Sequence, residues 1–274
     1  GPYAMEAFAD AVFYGNVNLG STIFTPLLTT AYQKAYGNLY TTPADIYEAA
    51  YASGIETLLP SVNSMTTLFT SGKLPQTALF SSTPPTAPAG ASPIVQATFN
   101  AVTPPKTGAA TDALFAAGFG TNNLLKNSLR TAYLLDAMTN PDGVVPAVTN
   151  GMPAAAPAHP MRIAGKKNDL RNWTPKAPVL LCGGSGDPTV FWQVNTLVMQ
   201  SFWSAPSPYA PAAGMVTVVD VDSAASGASD PFAAVKAGFA QAKTATAVAA
   251  GANAATAVTQ AYHGSLVPPF CNAA

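Results

Sequence analysis

Asp187 and His263 are the two side chains of this sequence whose type and setting best suit the movement of a proton. An Asp that orients and charge-balances a His is the supporting half of a nucleophilic relay, in which the imidazole removes the proton of a Ser hydroxyl. Asp187 stands in Gly183-Gly184-Ser185-Gly186-Asp187-Pro188, directly after the apolar run Pro178-Val179-Leu180-Leu181-Cys182. Functional side chains of parallel α/β sheets sit just past the carboxyl ends of strands, and the glycines permit a sharp exit there. His263 stands in Tyr262-His263-Gly264-Ser265, expected in a turn between a helix and the Pro268-Pro269 tail. Each residue has a plainer reading, Asp187 as a helix N-cap before Pro188 and His263 as a surface or capping His. Asp220 and Asp222, at the end of a second apolar run, are runner-up acids, and His159 in Ala158-His159-Pro160 reads as a loop residue with no partner in view.

The elements that must position this pair follow from residue patterning. Pro178 to Cys182 is a short unbroken apolar run, the signature of a strand buried on both faces of a parallel sheet. A helix is expected from Thr189 to about Phe202, then a second buried strand from Met215 to Val221. Asp230-Pro231 reads as N-cap and first turn of an Ala-rich helix running to about Ala249, and a further helix covers Ala254 to Tyr262. Strand, helix, strand, helix implies an α/β sheet, and two strands alone cannot bury both faces of one. Upstream of Trp173 the chain reads as helices and loops with no convincing strand. Apolar residues recur at helical spacing over Ala4–Tyr14, Ile23–Tyr36, Val62–Thr70 and Asn122–Met138, and Thr42-Pro43-Ala44-Asp45 reads as a helix start. The Pro-, Thr- and Ala-dense stretch Ser81–Thr111 is expected as a surface excursion that need not adopt one structure, and residues 144–170 as similar loop. Trp173, Trp192 and Trp203 read as core anchors.

Composition narrows the function classes. Of 274 residues, 49% are apolar, enough for a sizeable core, whereas only 9% are charged, against roughly 25% in ordinary soluble proteins. Twelve Lys+Arg against thirteen Asp+Glu give a net charge of −1, which offers no electrostatic basis for a nucleic-acid partner or an anionic membrane surface. Every apolar run is interrupted well short of the roughly 18–20 residues of a membrane span. The 25 Pro and 21 Gly exclude a simple helical bundle. Two Cys and two His at these spacings make no zinc site, and no Gly-rich phosphate loop opens a helix, so neither metal nor cofactor is expected.

The run Val179-Leu180-Leu181-Cys182-Gly183-Gly184-Ser185-Gly186-Asp187-Pro188-Thr189-Val190, followed far later by His263-Gly264, resembles the C-terminal part of an α/β-hydrolase, whose chain order is Ser, acid, His. Gly1-Pro2-Tyr3-Ala4 is similar to the segment after the strand that follows the nucleophile elbow in secreted bacterial esterases, lipases and peptidases of that family. The resemblance implies an incomplete α/β-hydrolase sheet with a large, mostly helical lid: residues 1–172 as lid or cap, with the Pro/Thr/Ala-rich loop at 81–111, and residues 173–274 as the C-terminal hydrolase segment. It implies Asp187 and His263 as catalytic acid and base, no cofactor, and a secreted or periplasmic protein. The family's Gly-x-Ser-x-Gly elbow is missing, since Gly184-Ser185-Gly186 runs into Asp187 and Gly20-Ser21-Thr22 lacks the upstream Gly. The nucleophilic Ser is therefore expected upstream of Gly1, in a missing N-terminal half. These 274 residues alone are expected to be poorly stable and inactive; were they active, Ser185 or Ser265 would be the first suspects. A charge-poor lid rich in Leu, Phe, Tyr and Met favours a small or lipid-like carboxylic ester as substrate, with a peptidase of the same fold and a non-catalytic secreted binding or structural protein as alternatives. Cys182 and Cys271 would both lie near the catalytic corner, either as a disulfide tethering the His-bearing tail or as two free buried thiols.

Overall fold

The computed structural model describes residues 2–109, 111–204 and 208–274. Gly1, at which the upstream boundary was placed, and Ala110 in the Pro/Thr-rich stretch lie outside the described residues. The chain divides into two compact units, one built from Ala9–Val148 and Pro153–Asn168, the other from the residues up to Phe8, Thr149–Met152 and Asp169–Ala274.

The first unit is mainly helical. Its longest helix, Ser21–Tyr36, ends at Gly37, whose positive φ of 69° lets its N–H fold back to the Gln33 carbonyl at 2.8 Å. The helix expected from Asn122 begins only at Asn127, with Leu129, Arg130, Tyr133, Leu134 and Ala137 on its buried face. Its first turn is lost because the amides of Leu124, Leu125 and Lys126 bond to the carbonyls of Ala78, Leu79 and Ile46 instead. The stretch upstream of Trp173 does contain strand, contrary to expectation. Phe80–Ser81 (β1) pairs in parallel with Phe119–Gly120 (β2), each too short to show alternation in sequence. The buried Arg130 guanidinium lies over the Phe80 and Phe119 rings at 4.4 and 5.0 Å and donates to the carbonyls of Phe13 and Val102 and to the Thr103 hydroxyl. Burial lowers its pKa to about 9.

Two more expectations are corrected here. The Pro/Thr-rich stretch carries the helix Pro93–Ala101, which buries Phe99, and the Gln96 side chain ties it to the amide of Ala87 and the carbonyl of Pro85. Pro93 suits the first helical position, where its missing N–H costs nothing. Residues 144–170 carry the helix Pro160–Lys167, and His159 is its cap: Nδ1 accepts the Met161 N–H at 3.3 Å. That helix delivers Arg162 into a buried cluster in which the guanidinium spans Asp10, at 3.0 and 2.9 Å, and Asp136, at 3.0 Å, while the Tyr133 hydroxyl donates to Asp10 at 2.7 Å. Burial opposes the Arg162 charge, but the hydrogen bonds and field of Asp10 outweigh it and hold its pKa above the ordinary value.

His159 titrates the other way. Burial, opposed by Asp136 and assisted by Arg162, pushes its pKa down from 6.5 to about 4. Below pH 6.5 the unfolded chain takes up a proton that the folded chain refuses until about pH 4, so stability falls as pH falls through that window. Urea unfolding is expected to show a loss of about 2 kcal/mol between about pH 7.5 and about pH 4.5 beyond that of His159→Asn, which keeps a capping acceptor but does not titrate. Equal slopes for the two proteins would contradict this.

The second unit holds the α/β core. Val179–Gly183 (β3) and Val216–Asp220 (β4) pair in parallel, Val179 opposite Val216 through Gly183 opposite Asp220. The crossover runs through a 3-10 turn at Trp192–Val194 and the helix Thr196–Ser204, which packs on both strands. The helix starts later than Thr189 because the Asp187 carboxylate draws the amides of Thr189 and Val190 into its own turn. Beyond β4 the chain continues as the helices Ala233–Ala250, Ala254–Ala261 and Val267–Ala273. Val219, Val221, Phe239, Tyr262, Leu266 and Val267 form one buried cluster, edged by Cys182, Phe270 and Cys271. The strands are not buried on both faces, as their sequences predict: Leu181 and Val219 are buried, but Leu180 is 39% exposed and its partner Thr217 is exposed too. Among the described residues this sheet has two strands, so both of its edges are open. Trp192 and Trp203 are core anchors, whereas Trp173 is 45% exposed and meets the Trp203 ring edge-on.

Candidate active site

Sharp turns after the two parallel strands create the site. Leaving β3, the chain passes through Gly184-Ser185-Gly186 with the Ser185 N–H held by the Asp220 carboxylate at 2.9 Å. Asp187 then closes a tight turn. Its Oδ1 accepts the N–H groups of Thr189 at 2.8 Å and Val190 at 3.1 Å. Its Oδ2 lies 2.7 Å from His263 Nδ1. One oxygen of the carboxylate thus caps the turn that follows it, and the other faces the imidazole.

His263 lies in a π-turn, Tyr262–Leu266, inside a continuous helical run, which corrects the expected turn between a helix and a Pro-rich tail. Pro268 and Pro269 open the following helix, and neither has an N–H to return to the preceding turn. The last amide before them, that of Val267, reaches back five residues to the Tyr262 carbonyl, which widens the turn. The Asp187 side chain is 6% exposed and the His263 side chain 42% exposed. With Nδ1 committed to the carboxylate, Nε2 has no hydrogen-bond partner among the described residues. Neither the Ser185 nor the Ser265 hydroxyl bonds the imidazole.

The runner-up acids serve the frame. Asp220 accepts the amides of Ser185 and Asp222, and Asp222 binds the Lys243 ammonium through both oxygens at 2.8 Å and accepts the Tyr262 hydroxyl. Cys182 and Cys271 are joined in a disulfide with Cα atoms 5.6 Å apart and a sequence separation of 89. The bond ties the end of β3 to the last helix. Tyr262 is the residue that sequence reasoning missed. Its signal was adjacency to His263 together with the bare glycines of the facing loop, since a Cβ on Gly184 would stand 2.6 Å from the Tyr262 hydroxyl. Among the described residues no group of three His, Cys, Asp or Glu could hold a metal ion, and no helix is long and apolar enough to cross a membrane.

No family model matches the sequence, and no curated protein matches it. Solved structures of a rice cell wall degrading esterase, LipA, from Xanthomonas oryzae are similar at low level: 20% identity and a TM-score of 0.48, over 88% of this chain and 46% of that one. A ligand-bound form of the same esterase gives 20% identity and a TM-score of 0.48, over 86% and 44%. The chain thus spans less than half the length of the structures it matches.

Proposed function

We propose that this chain supplies the acid and the base of a secreted serine hydrolase of α/β-hydrolase type that cleaves carboxylic esters. The observation that carries the reading is Asp187 Oδ2 at 2.7 Å from His263 Nδ1 with the far imidazole nitrogen left bare. A carboxylate on Nδ1 selects the tautomer that keeps its proton there, so Nε2 presents a lone pair. Nε2 takes the proton of a Ser hydroxyl as its oxygen attacks the ester carbonyl, and the imidazolium then hands that proton to the departing alcohol oxygen. Water repeats the sequence on the acyl-enzyme, delivering its proton to Nε2 and returning the Ser hydroxyl with release of the acid. The Asp187 carboxylate balances the imidazolium charge.

The Ser belongs to a segment outside these 274 residues. What supports this is that neither Ser185 nor Ser265 bonds the imidazole and that the β3–β4 sheet has both edges open, as expected of strands that continue a larger sheet. The reading of residues 1–172 as lid and 173–274 as hydrolase segment belongs to the same proposal. A lid of low charge favours a small or lipid-like ester. The disulfide fits an exported protein, because such bonds persist in oxidising compartments.

The experiment is labelling of the full native polypeptide with a fluorophosphonate, which traps only an activated Ser. One covalent adduct per molecule is expected, and none in His263→Ala. A non-catalytic binding protein, in which the Asp187–His263 contact is only an ion pair, would take up no label.

A further inference from the structure

The Asp187–His263 contact joins the glycine loop after β3, which the Ser185 N–H ties to Asp220 of β4, to a π-turn whose Tyr262 and Leu266 pack with Val219 of the same strand. The loop on the Asp side is Gly183-Gly184-Ser185-Gly186, and three of its four residues have no side chain with which to pack. The disulfide fixes the chain only at Cys182, five residues before Asp187, and at Cys271, eight after His263. One side chain bridges the gap. The Tyr262 hydroxyl accepts the Gly186 N–H at 3.0 Å and donates its own proton to Asp222, which is anchored in turn by Lys243. Consecutive residues of the π-turn, Tyr262 and His263, thus engage consecutive residues of the loop, Gly186 and Asp187. The fit is close. A Cβ on Gly186 would stand 3.0 Å from the Asp222 carboxylate and 3.1 Å from the Tyr262 hydroxyl, so the phenol rests on bare backbone. The Tyr262 ring is fixed independently, edge-on to Phe239 in the buried cluster. Burial and the Asp222 hydrogen bond raise the phenol pKa, which keeps the donated proton on oxygen.

We propose that Tyr262 is the positioning residue of the Asp187–His263 pair: its hydroxyl sets the distance between the glycine loop and the π-turn, and so the tautomer of the base. This rests on the hydrolase reading above only for its catalytic consequence. Removing the hydroxyl frees the Gly186 amide and lets the loop drift, Asp187 Oδ2 parts from Nδ1, and the imidazole reverts toward the tautomer protonated on Nε2, which cannot accept a proton from Ser.

The test reads that tautomer directly. In the full native polypeptide labelled with nitrogen-15 histidine, the His263 ring signals are assigned by their loss in His263→Gln, at a pH where the ring is neutral. Wild type is expected mainly as the Nδ1–H form and Asp187→Asn mainly as the Nε2–H form. Tyr262→Phe, which keeps the ring in the cluster, is expected to move the tautomer ratio at least half of the way toward Asp187→Asn. Gly184→Ala pushes the phenol away from the loop side and is expected to do the same, so the result does not hang on one variant folding. Lys243→Met, which spares the Tyr262–Gly186 bond, is expected to keep the wild-type ratio. If Tyr262→Phe and Gly184→Ala lose thermal stability but keep the wild-type ratio while Asp187→Asn changes it, Tyr262 is merely structural and the proposal fails, with the hydrolase reading intact. If Asp187→Asn itself leaves the ratio unchanged, the carboxylate does not select the tautomer, and both proposals fall.

Discussion

On the proposed hydrolase reading, Asp187→Asn in the full native polypeptide is expected to lower kcat for ester hydrolysis by about 10⁴-fold while leaving the thermal unfolding temperature close to that of wild type. The asymmetry follows from the two jobs of this carboxylate. Oδ1 accepts two backbone N–H groups, from Thr189 and Val190, and only an oxygen can do so. An Asn is therefore forced to place its carbonyl oxygen there and its NH₂ toward His263. The turn survives. The imidazole, now facing a donor, must accept on Nδ1 and carry its proton on Nε2, where it cannot serve as base. Asp187→Ala loses the turn as well, and is expected to combine a similar loss of activity with a clear loss of stability. Steady-state kinetics beside calorimetry separates the two. An Asp187→Asn enzyme retaining more than about a tenth of wild-type kcat would remove the carboxylate from the mechanism, since a proton-relay partner contributes orders of magnitude.

Cys182→Ser with Cys271→Ser is expected to cost up to about 4–5 kcal/mol of unfolding free energy, because the bond closes a loop with a sequence separation of 89 and removes that loop's freedom from the unfolded chain. The consequence is local as well. Cys271 lies in the Val267–Ala273 helix, which is otherwise held by the packing of Val267 in the cluster and of Phe270 against Phe239. Without the bond the helix that follows His263 loosens first, so activity is expected to fall at urea concentrations well below those that unfold the Trp192 and Trp203 core. Loss of ester hydrolysis and of tryptophan fluorescence should coincide in the wild type and separate in the double variant. Coincident curves with an unchanged midpoint would show that the tether contributes nothing.

The contact between Asp187 and His263 was legible in sequence where chemistry and local structure point to the same residue. Glycines after an apolar run announce a strand exit, and an Asp just beyond them is displayed whichever strand it follows. His263 was found by residue type, but its surroundings were misread, since Pro268-Pro269 reads as the end of regular structure when it opens a helix and shapes the π-turn before it. Tyr262 escaped because its hydroxyl acts on a backbone amide 76 residues away, and no spacing rule covers such a contact. The same limit hid the buried ion cluster. Arg162 and Asp10 stand 152 residues apart, and nothing local marks either as charged and buried. The helix Ser21–Tyr36 was readable over most of its length but its face was not, since Phe24 and Leu27 are exposed while Thr22, Pro26, Thr29 and Thr30 are buried, and β1 and β2, with two residues each, carry too little pattern to register.

The most direct measurement of the relay is the identity of the Ser that the fluorophosphonate traps. After labelling of the full native polypeptide, digestion and mass spectrometry locate the adduct on a peptide. The expected adduct lies on a Ser outside residues 1–274, and it disappears in His263→Ala and falls sharply in Asp187→Asn. An adduct on Ser185 or Ser265, or one that persists undiminished without the His263 imidazole, would contradict a relay in which Asp187 and His263 serve a nucleophile carried elsewhere.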